Sequence, residues 1–276
     1  MAPTPHYGKP ELKRIDKIYE KAYYLLTGII FMTDIYEKFA YDYDEFGEID
    51  KYLGDEEAFF KKLFNEYNVN TVLDCACATG QHLLMFSKIG LCVSGSDYSK
   101  SMIDVANKNL KKYGKDVPID QCDFRYLERI FSNRFDAVVC LKTALPHLHK
   151  DEDLITALIS MRNRLNDNGL LVLTQGITHY NLKLPPIEVV INRSDFSRVF
   201  VKEFNDHFHK IHVIDMFHSM DRTENNQYDI VHKIILDDDY RELLLKAGYK
   251  NIQIYGDYNF EKYNDKSRRL IIVANK

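Results

Sequence analysis

The chain carries no excess of basic residues, no long apolar run and no internal repeat, and each absence removes a class of protein. Its 37 Lys and Arg stand against 41 Asp and Glu, for a formal net charge of −4. Nucleic-acid binding usually leaves a basic footprint, so no nucleic-acid partner is expected. The longest apolar run near the start, Leu25 to Met32, is broken by Thr27 and Gly28 and is far too short to span a bilayer. No membrane partner is expected either. Met1 to Pro10 holds Lys9 and prolines but no apolar signal core, so no secretory signal is read. The cysteines are few and odd in number: Cys75, Cys77, Cys92, Cys122 and Cys140, all in apolar, strand-like segments. Reduced, buried thiols of a cytoplasmic protein explain them better than a disulfide framework does. Low-complexity tracts and flexible linkers are also missing.

The 276 residues, 45% of them hydrophobic, suffice for one large domain, or one domain with a cap or insertion. Leu12, Ile15, Ile18, Ala22, Leu25 and Ile29 recur at helical spacing, so one or two helices are expected over 11–40. A break is read at 41–47, then a helix over 55–67 with Asp55 as N-cap. From residue 70, strands (Thr71–Cys75, Cys92–Ser96, Ile119–Cys122, Ala137–Leu141, Leu170–Thr174) alternate with helices near 80–89, 99–113 and 151–165. That alternation implies a parallel sheet covered on both faces. Segments 198–205, 210–219 and 227–236 instead alternate between β-prone and polar turns, which predicts an antiparallel insertion of about three strands. A helix at 239–247 and strands at 252–255 and 269–274 close the chain.

Chemistry concentrates at Val72-Leu73-Asp74-Cys75-Ala76-Cys77-Ala78-Thr79-Gly80 and at Asp97. An apolar strand ends in an acid, passes through a turn of small residues and opens a helix. The next strand ends in a second acid. Such a pair holds an adenosine-containing cofactor across the end of a parallel sheet, the second acid accepting from the ribose hydroxyls. No Gly-Lys-Ser/Thr follows Gly80, which excludes a P-loop, and Ala76 and Ala78 stand where a nicotinamide fingerprint needs glycines. An ordinary βα turn with two carboxylates is the plain alternative.

These segments resemble the class I S-adenosylmethionine-dependent methyltransferases over roughly 43–276. The resemblance continues through Gly95-Ser96-Asp97-Tyr98-Ser99-Lys100-Ser101-Met102, Asp123-Phe124, Phe135 to Leu141 with Pro146-His147-Leu148, and Leu165 to Leu173. Within the class, Tyr52-Leu53-Gly54-Asp55, the 74–77 run and Gly256-Asp257-Tyr258 are most similar to the glycine N-methyltransferase group. The resemblance implies an α/β fold: a Rossmann-like seven-stranded, mostly parallel sheet with helices on both faces. A helical N-terminal lid over 1–55 would precede a methyltransferase domain over 56–276, with the insertion at about 195–236. It implies S-adenosylmethionine as cofactor and S-adenosylhomocysteine as product. The cofactor residues would be Tyr52, Asp74, Ala76, Gly80, Asp97, Tyr98, Met102, Asp123, Phe124, Leu141 and His147.

The departures concern the acceptor. Ala78 replaces the usual middle glycine, Gly176 occupies the place of the arginine that clamps the glycine carboxylate, and Thr143, beside Lys142, replaces a substrate-contacting asparagine. Losing a bidentate arginine is not compatible with intact carboxylate recognition. The expectation is methyl transfer to a small-molecule acceptor, at nitrogen, that is not glycine. His147, His179 and Tyr43 are candidate catalytic groups, and Thr143 and Tyr180 candidate acceptor contacts. His207, His209, His212 and His218 are read as a solvated hairpin face rather than a metal pair, and no metal is expected. A non-catalytic S-adenosylmethionine-binding protein, or a methyltransferase of protein or RNA, are the competing functions. A cytoplasmic monomer or homodimer fits either. Asp97→Ala is expected to weaken cofactor binding by about 2–4 kcal/mol, since two hydrogen bonds to a charged group are lost. Calorimetry that finds unchanged affinity would remove the ribose assignment.

Overall fold

The computed structural model describes residues 31–46 and 54–276. The helical expectation for 11–30 and the expected cofactor contact Tyr52 lie outside them. Helix α1 (Phe31–Tyr43) runs into a 3-10 turn at Asp44–Phe46, and α2 (Gly54–Glu66) follows. Asp55 sits within the first turn of α2 rather than capping it, together with Glu56 and Glu57. Acids there still meet the positive end of the helix dipole.

The main sheet is built from β1 (Thr71–Asp74), β2 (Cys92–Asp97), β3 (Ile119–Gln121), β4 (Phe135–Cys140), β5 (Leu165–Gln175), β10 (Lys250–Tyr255) and β11 (Leu270–Asn275). Its order is β10-β11-β5-β4-β1-β2-β3. β1 pairs in parallel with β2 and β4, whereas β11 runs antiparallel to both neighbours. Successive residues of each central strand enter opposite cores. Leu73, Val138, Leu171 and Ile272 belong to one, and Val72, Val139, Val172 and Ile271 to the other. Period-two alternation between two apolar faces is why these strands read as unbroken apolar runs. Helices α3 (Gln81–Lys88), α4 (Lys100–Lys112), α5 (Asp151–Asn163) and α6 (Asp237–Lys246) supply the covering layers. Ser99 caps α4 by accepting from the Met102 N–H at 3.2 Å.

The chain winds from β1 out to β3, then returns to β4 on the far side of β1. Sheets of this kind open a crevice at the carboxyl ends of the strands where the winding reverses. Gly80, at the start of α3, takes φ +88°, and an added Cβ would lie 3.2 Å from that of Ala106. Glycine is needed there for the turn and for the close approach of α3 to α4.

The insertion is a separate four-stranded antiparallel sheet, β6-β7-β8-β9, comprising β6 (Ile187–Asn192), β7 (Phe196–Phe204), β8 (Phe208–His218) and β9 (Thr223–Lys233). The expected three strands are present, and β6 adds a fourth at the edge. A fully buried ion pair joins β7 to β8: the Arg198 guanidinium donates to both Asp215 oxygens at 2.6 Å. Arg198 also donates to the Asp42 carbonyl of α1 at 2.7 Å, and the Asp42 carboxylate accepts from Arg222, Asn226 and Tyr228 of the insertion. Removing one member of a buried pair leaves an uncompensated charge and costs about 3–5 kcal/mol. Asp215→Asn is therefore expected to lower stability by that order in urea unfolding. Arg198→Met combined with Asp215→Leu should recover most of it.

Candidate active site

The turn leaving β1 is pinned to the strands beside it. Cys75 N–H donates to the Val139 carbonyl of β4 (3.0 Å) and Cys77 N–H to the Ser96 carbonyl of β2 (2.9 Å). Ala78 adopts φ +45°, a left-handed conformation costing an L-residue of this kind on the order of 1 kcal/mol. In that conformation its N–H donates to Asp97 Oδ2 at 2.8 Å, while Ser99 N–H donates to Oδ1 at 2.9 Å. Each oxygen of Asp97 keeps a second lone pair. Burial raises the Asp97 pKa, against the hydrogen bonds from Ser99, Ala78 and Tyr98.

Asp74 is 1% exposed. Its Oδ1 accepts only a long bond from Ala76 N–H at 3.3 Å, and its Oδ2 has no hydrogen-bond partner among the described residues. Burial drives its pKa up to about 7, the Ala76 N–H opposing and the Asp97 charge adding. A carboxylate held this way is a site waiting for positive charge.

A cavity opens over this turn. Of the residues read from sequence, Tyr43, Ala76, Asp97, Tyr98, Met102, Phe124, Leu141 and His147 line it. Three acids of the α1 segment fasten that segment across the opening. Glu37 accepts from the hydroxyls of Ser99 and Ser101 and from the N–H groups of Lys100 and Ser101, at the start of α4. Asp42 grips the insertion as described. Asp44 accepts from Thr79 Oγ1 at 2.6 Å and from Asn109 Nδ2 at 2.7 Å.

Other sequence-predicted residues lie elsewhere. Gly80 shapes the helix start. Both oxygens of Asp123 are engaged by the Arg125 guanidinium (2.6–3.1 Å), so an adenine amino group would share that carboxylate. Thr143 Oγ1 accepts from the Gly176 N–H at 3.0 Å, tying together the two positions where an acceptor contact was sought. His179 and Tyr180 do not line the cavity: His179 faces Asp237 (3.4 Å), and Tyr180 lies against Arg268. On the insertion, His212 meets Asp229 at 2.7 Å, but His209 turns inward toward His232 with ring centroids 6.4 Å apart. The reading of a solvated histidine face fails at His209. It shares its side of β8 with Val213 and Asp215, both buried.

Sequence reasoning missed Tyr36, His82 and Lys142 on the cavity wall and Glu56 behind them. Tyr36 Oη stands 2.9 Å from His147 Nε2, with the rings edge to face. Burial lowers the His147 pKa to about 4, with His149 adding to the effect, so the imidazole is neutral near pH 7.

A methyltransferase-domain family model matches residues 72–169, the stretch holding this turn, both acids and the β4 loop. A glycine/sarcosine N-methyltransferase of Aphanothece halophytica is 28% identical over 264 residues, covering 89% of this chain and 91% of that one. Residues 72–169 form a methyltransferase domain, and these matches support an S-adenosylmethionine-dependent methyltransferase. A second glycine/sarcosine N-methyltransferase, from Parasynechococcus marenigrum, is 35% identical over 118 residues; the match spans 43% of this chain and only 42% of that relative's length. The crystal structure of a methyltransferase from Clostridium acetobutylicum superposes with a TM-score of 0.73 over 87% of this chain and 98% of that one. At 16% identity that likeness is one of fold.

The methyltransferase's own residues fit the cofactor. The unpartnered Asp74 oxygen suits an ammonium or sulfonium neighbourhood, and Asp97 retains acceptor capacity for ribose hydroxyls. No helix among the described residues is long and apolar enough to cross a membrane. The same carboxylate carries a stability signature. Asp74 has a folded pKa near 7, raised above the ordinary value of 3.8. Its ionisation therefore destabilises the ligand-free protein increasingly as pH rises from about 4 to about 7, and by a constant amount above that. Asp74→Asn should stabilise the ligand-free protein at pH 8, by on the order of 2–4 kcal/mol, and give little gain at pH 4. Thermal unfolding at the two pH values, with the gain confined to the higher one, is the check.

Proposed function

We propose that this methyltransferase moves the cofactor's methyl group to the nitrogen of a small-molecule amine other than glycine. The observation that carries the proposal is the Tyr36–His147 pair, 2.9 Å apart on the same cavity wall as Ala76 and Asp97. The bound cofactor supplies an electrophilic methyl group on a sulfonium. The protein's part is to align and to exclude water, which accounts for much of the acceleration available to an in-line displacement.

On this reading Asp97 holds the ribose, and Tyr98, Met102 and Phe124 provide apolar surface for the base. Asp74 faces the cationic end. His147 is kept neutral by burial, so it adds no repulsion beside a sulfonium and can accept a hydrogen bond from an amine N–H. Tyr36, with its hydroxyl on His147 Nε2, and Tyr43 close the wall with aromatic surface that favours a cation. As nitrogen gains its methyl and becomes positive, the aromatic wall stabilises its charge, and the excess proton leaves to solvent. Curated relatives bear the names of glycine and sarcosine methyltransferases, but Gly176 offers no guanidinium to the carboxylate of such acceptors. The mildly acidic chain supports a small acceptor over RNA.

The test is methyl-labelled S-adenosylmethionine incubated with the purified protein and fractionated small-molecule extract. Label is expected in a low-molecular-weight amine, with glycine and sarcosine turned over at least tenfold more slowly than the best fraction. Brisk labelling of glycine would overturn the exclusion. Tight S-adenosylhomocysteine binding without transfer to any fraction would indicate a non-catalytic binding protein.

A further inference from the structure

The sheet order decides which end of the cofactor meets which strand. β1 lies between β2 and β4. Asp97 ends β2, the Cys75–Ala78 turn leaves β1, and Leu141–Lys142 follow β4. A cofactor whose ribose sits at Asp97 and which crosses the turn thus brings its amino-acid end to the β4 side. That end is a zwitterion. Asp74, at the tip of β1, has an oxygen unpartnered among the described residues, suited to the ammonium. Among the described residues lining the cavity, Lys142 is the only lysine or arginine.

Lys142 is fixed in place from both ends. Its backbone has φ +55°, followed by Thr143 at +69°, a region L-residues seldom occupy and which surrounding structure must enforce. Here Thr174 enforces it, with Oγ1 accepting from Lys142 N–H at 2.9 Å and the carbonyl from Thr143 N–H at 2.8 Å. At the other end, Lys142 Nζ donates to Glu56 Oε1 at 2.7 Å, and His82 Nε2 meets Glu56 Oε2 at 2.9 Å. Burial opposes the ionisation of Glu56, but His82 and Lys142 outweigh it and hold its pKa down at about 2. Burial lowers the His82 pKa, so the neutral ring donates its Nε2–H to the carboxylate. An ammonium has three N–H groups; among the described residues Glu56 takes one, leaving two for a ligand. The side chain is 37% exposed, enough to reach one.

We infer that Lys142, anchored by Glu56 and His82, binds the carboxylate of the cofactor's amino-acid moiety. The inference rests on the cofactor reading of the cavity. It assigns recognition of that group to the β4 loop and α2, elements 86 residues apart in sequence.

The experiment is calorimetric titration with S-adenosylhomocysteine and with 5′-methylthioadenosine, which keeps the nucleoside and thioether but lacks the amino-acid end. Lys142→Met is expected to weaken S-adenosylhomocysteine by about 10- to 100-fold, as for a lost charge-assisted hydrogen bond, and to leave 5′-methylthioadenosine within twofold. Because Lys142→Met strands the buried Glu56 carboxylate, Glu56→Gln with Lys142→Met is measured beside it, and the same selective loss is expected. Unchanged S-adenosylhomocysteine affinity, or equal weakening of both ligands in both variants, overturns the assignment. Wild-type protein that binds neither ligand would instead remove the cofactor reading itself.

Discussion

Two carboxylates at the tips of neighbouring parallel strands impose the condition that the rest of the molecule answers. Asp97 is solvated by backbone N–H groups from two directions, whereas Asp74 is buried with one long bond and one bare oxygen. Their unequal surroundings separate their tasks: a well-fed acceptor on one strand, and an electrostatic demand for a cation on the other. Ala78, whose N–H serves the first, sits in a left-handed conformation. The small-residue turn is therefore shaped by the acid beside it as much as by any ligand.

A cavity built for a cation must keep other positive charge out of it or neutralise it. The structure does both. His147, His149, His209 and His232 all have pKa values lowered by burial, so a cluster of imidazoles stands near the cavity without charge. Lys142 is instead tied to a buried Glu56 carboxylate. Positive charge at the wall is thus neutralised or absent, while directional donors and acceptors remain.

The doubly wound sheet was readable because each central strand feeds two apolar faces, and the resulting runs, such as Val138-Val139 and Leu170 to Leu173, leave little ambiguity. The edge strand β6 is not legible: it follows Pro185-Pro186, and all six of its residues are at least partly exposed with no clean alternation. The acids Asp74 and Asp97 announced themselves by position at strand ends. Tyr36 did not, because it sits in a tyrosine-rich segment where Tyr43 and Tyr52 carried equal or better claims. The Glu56–His82–Lys142 group was hidden for a different reason. Its members lie on α2, on α3 and after β4, and only the folded sheet brings them together. His209 was misjudged because a β-strand hides alternate side chains, and the inward register of β8 cannot be counted from its polar content alone.

The fastening of α1 has a kinetic meaning. Glu37, Asp42 and Asp44 anchor one short segment to three separate walls: the start of α4, the insertion sheet, and the β1 turn with α4. Hydrogen bonds of this sort rupture one at a time, but the segment swings free only when all have parted. Freeing the segment then requires three anchors to part together, which makes its opening rarer than the failure of any single contact.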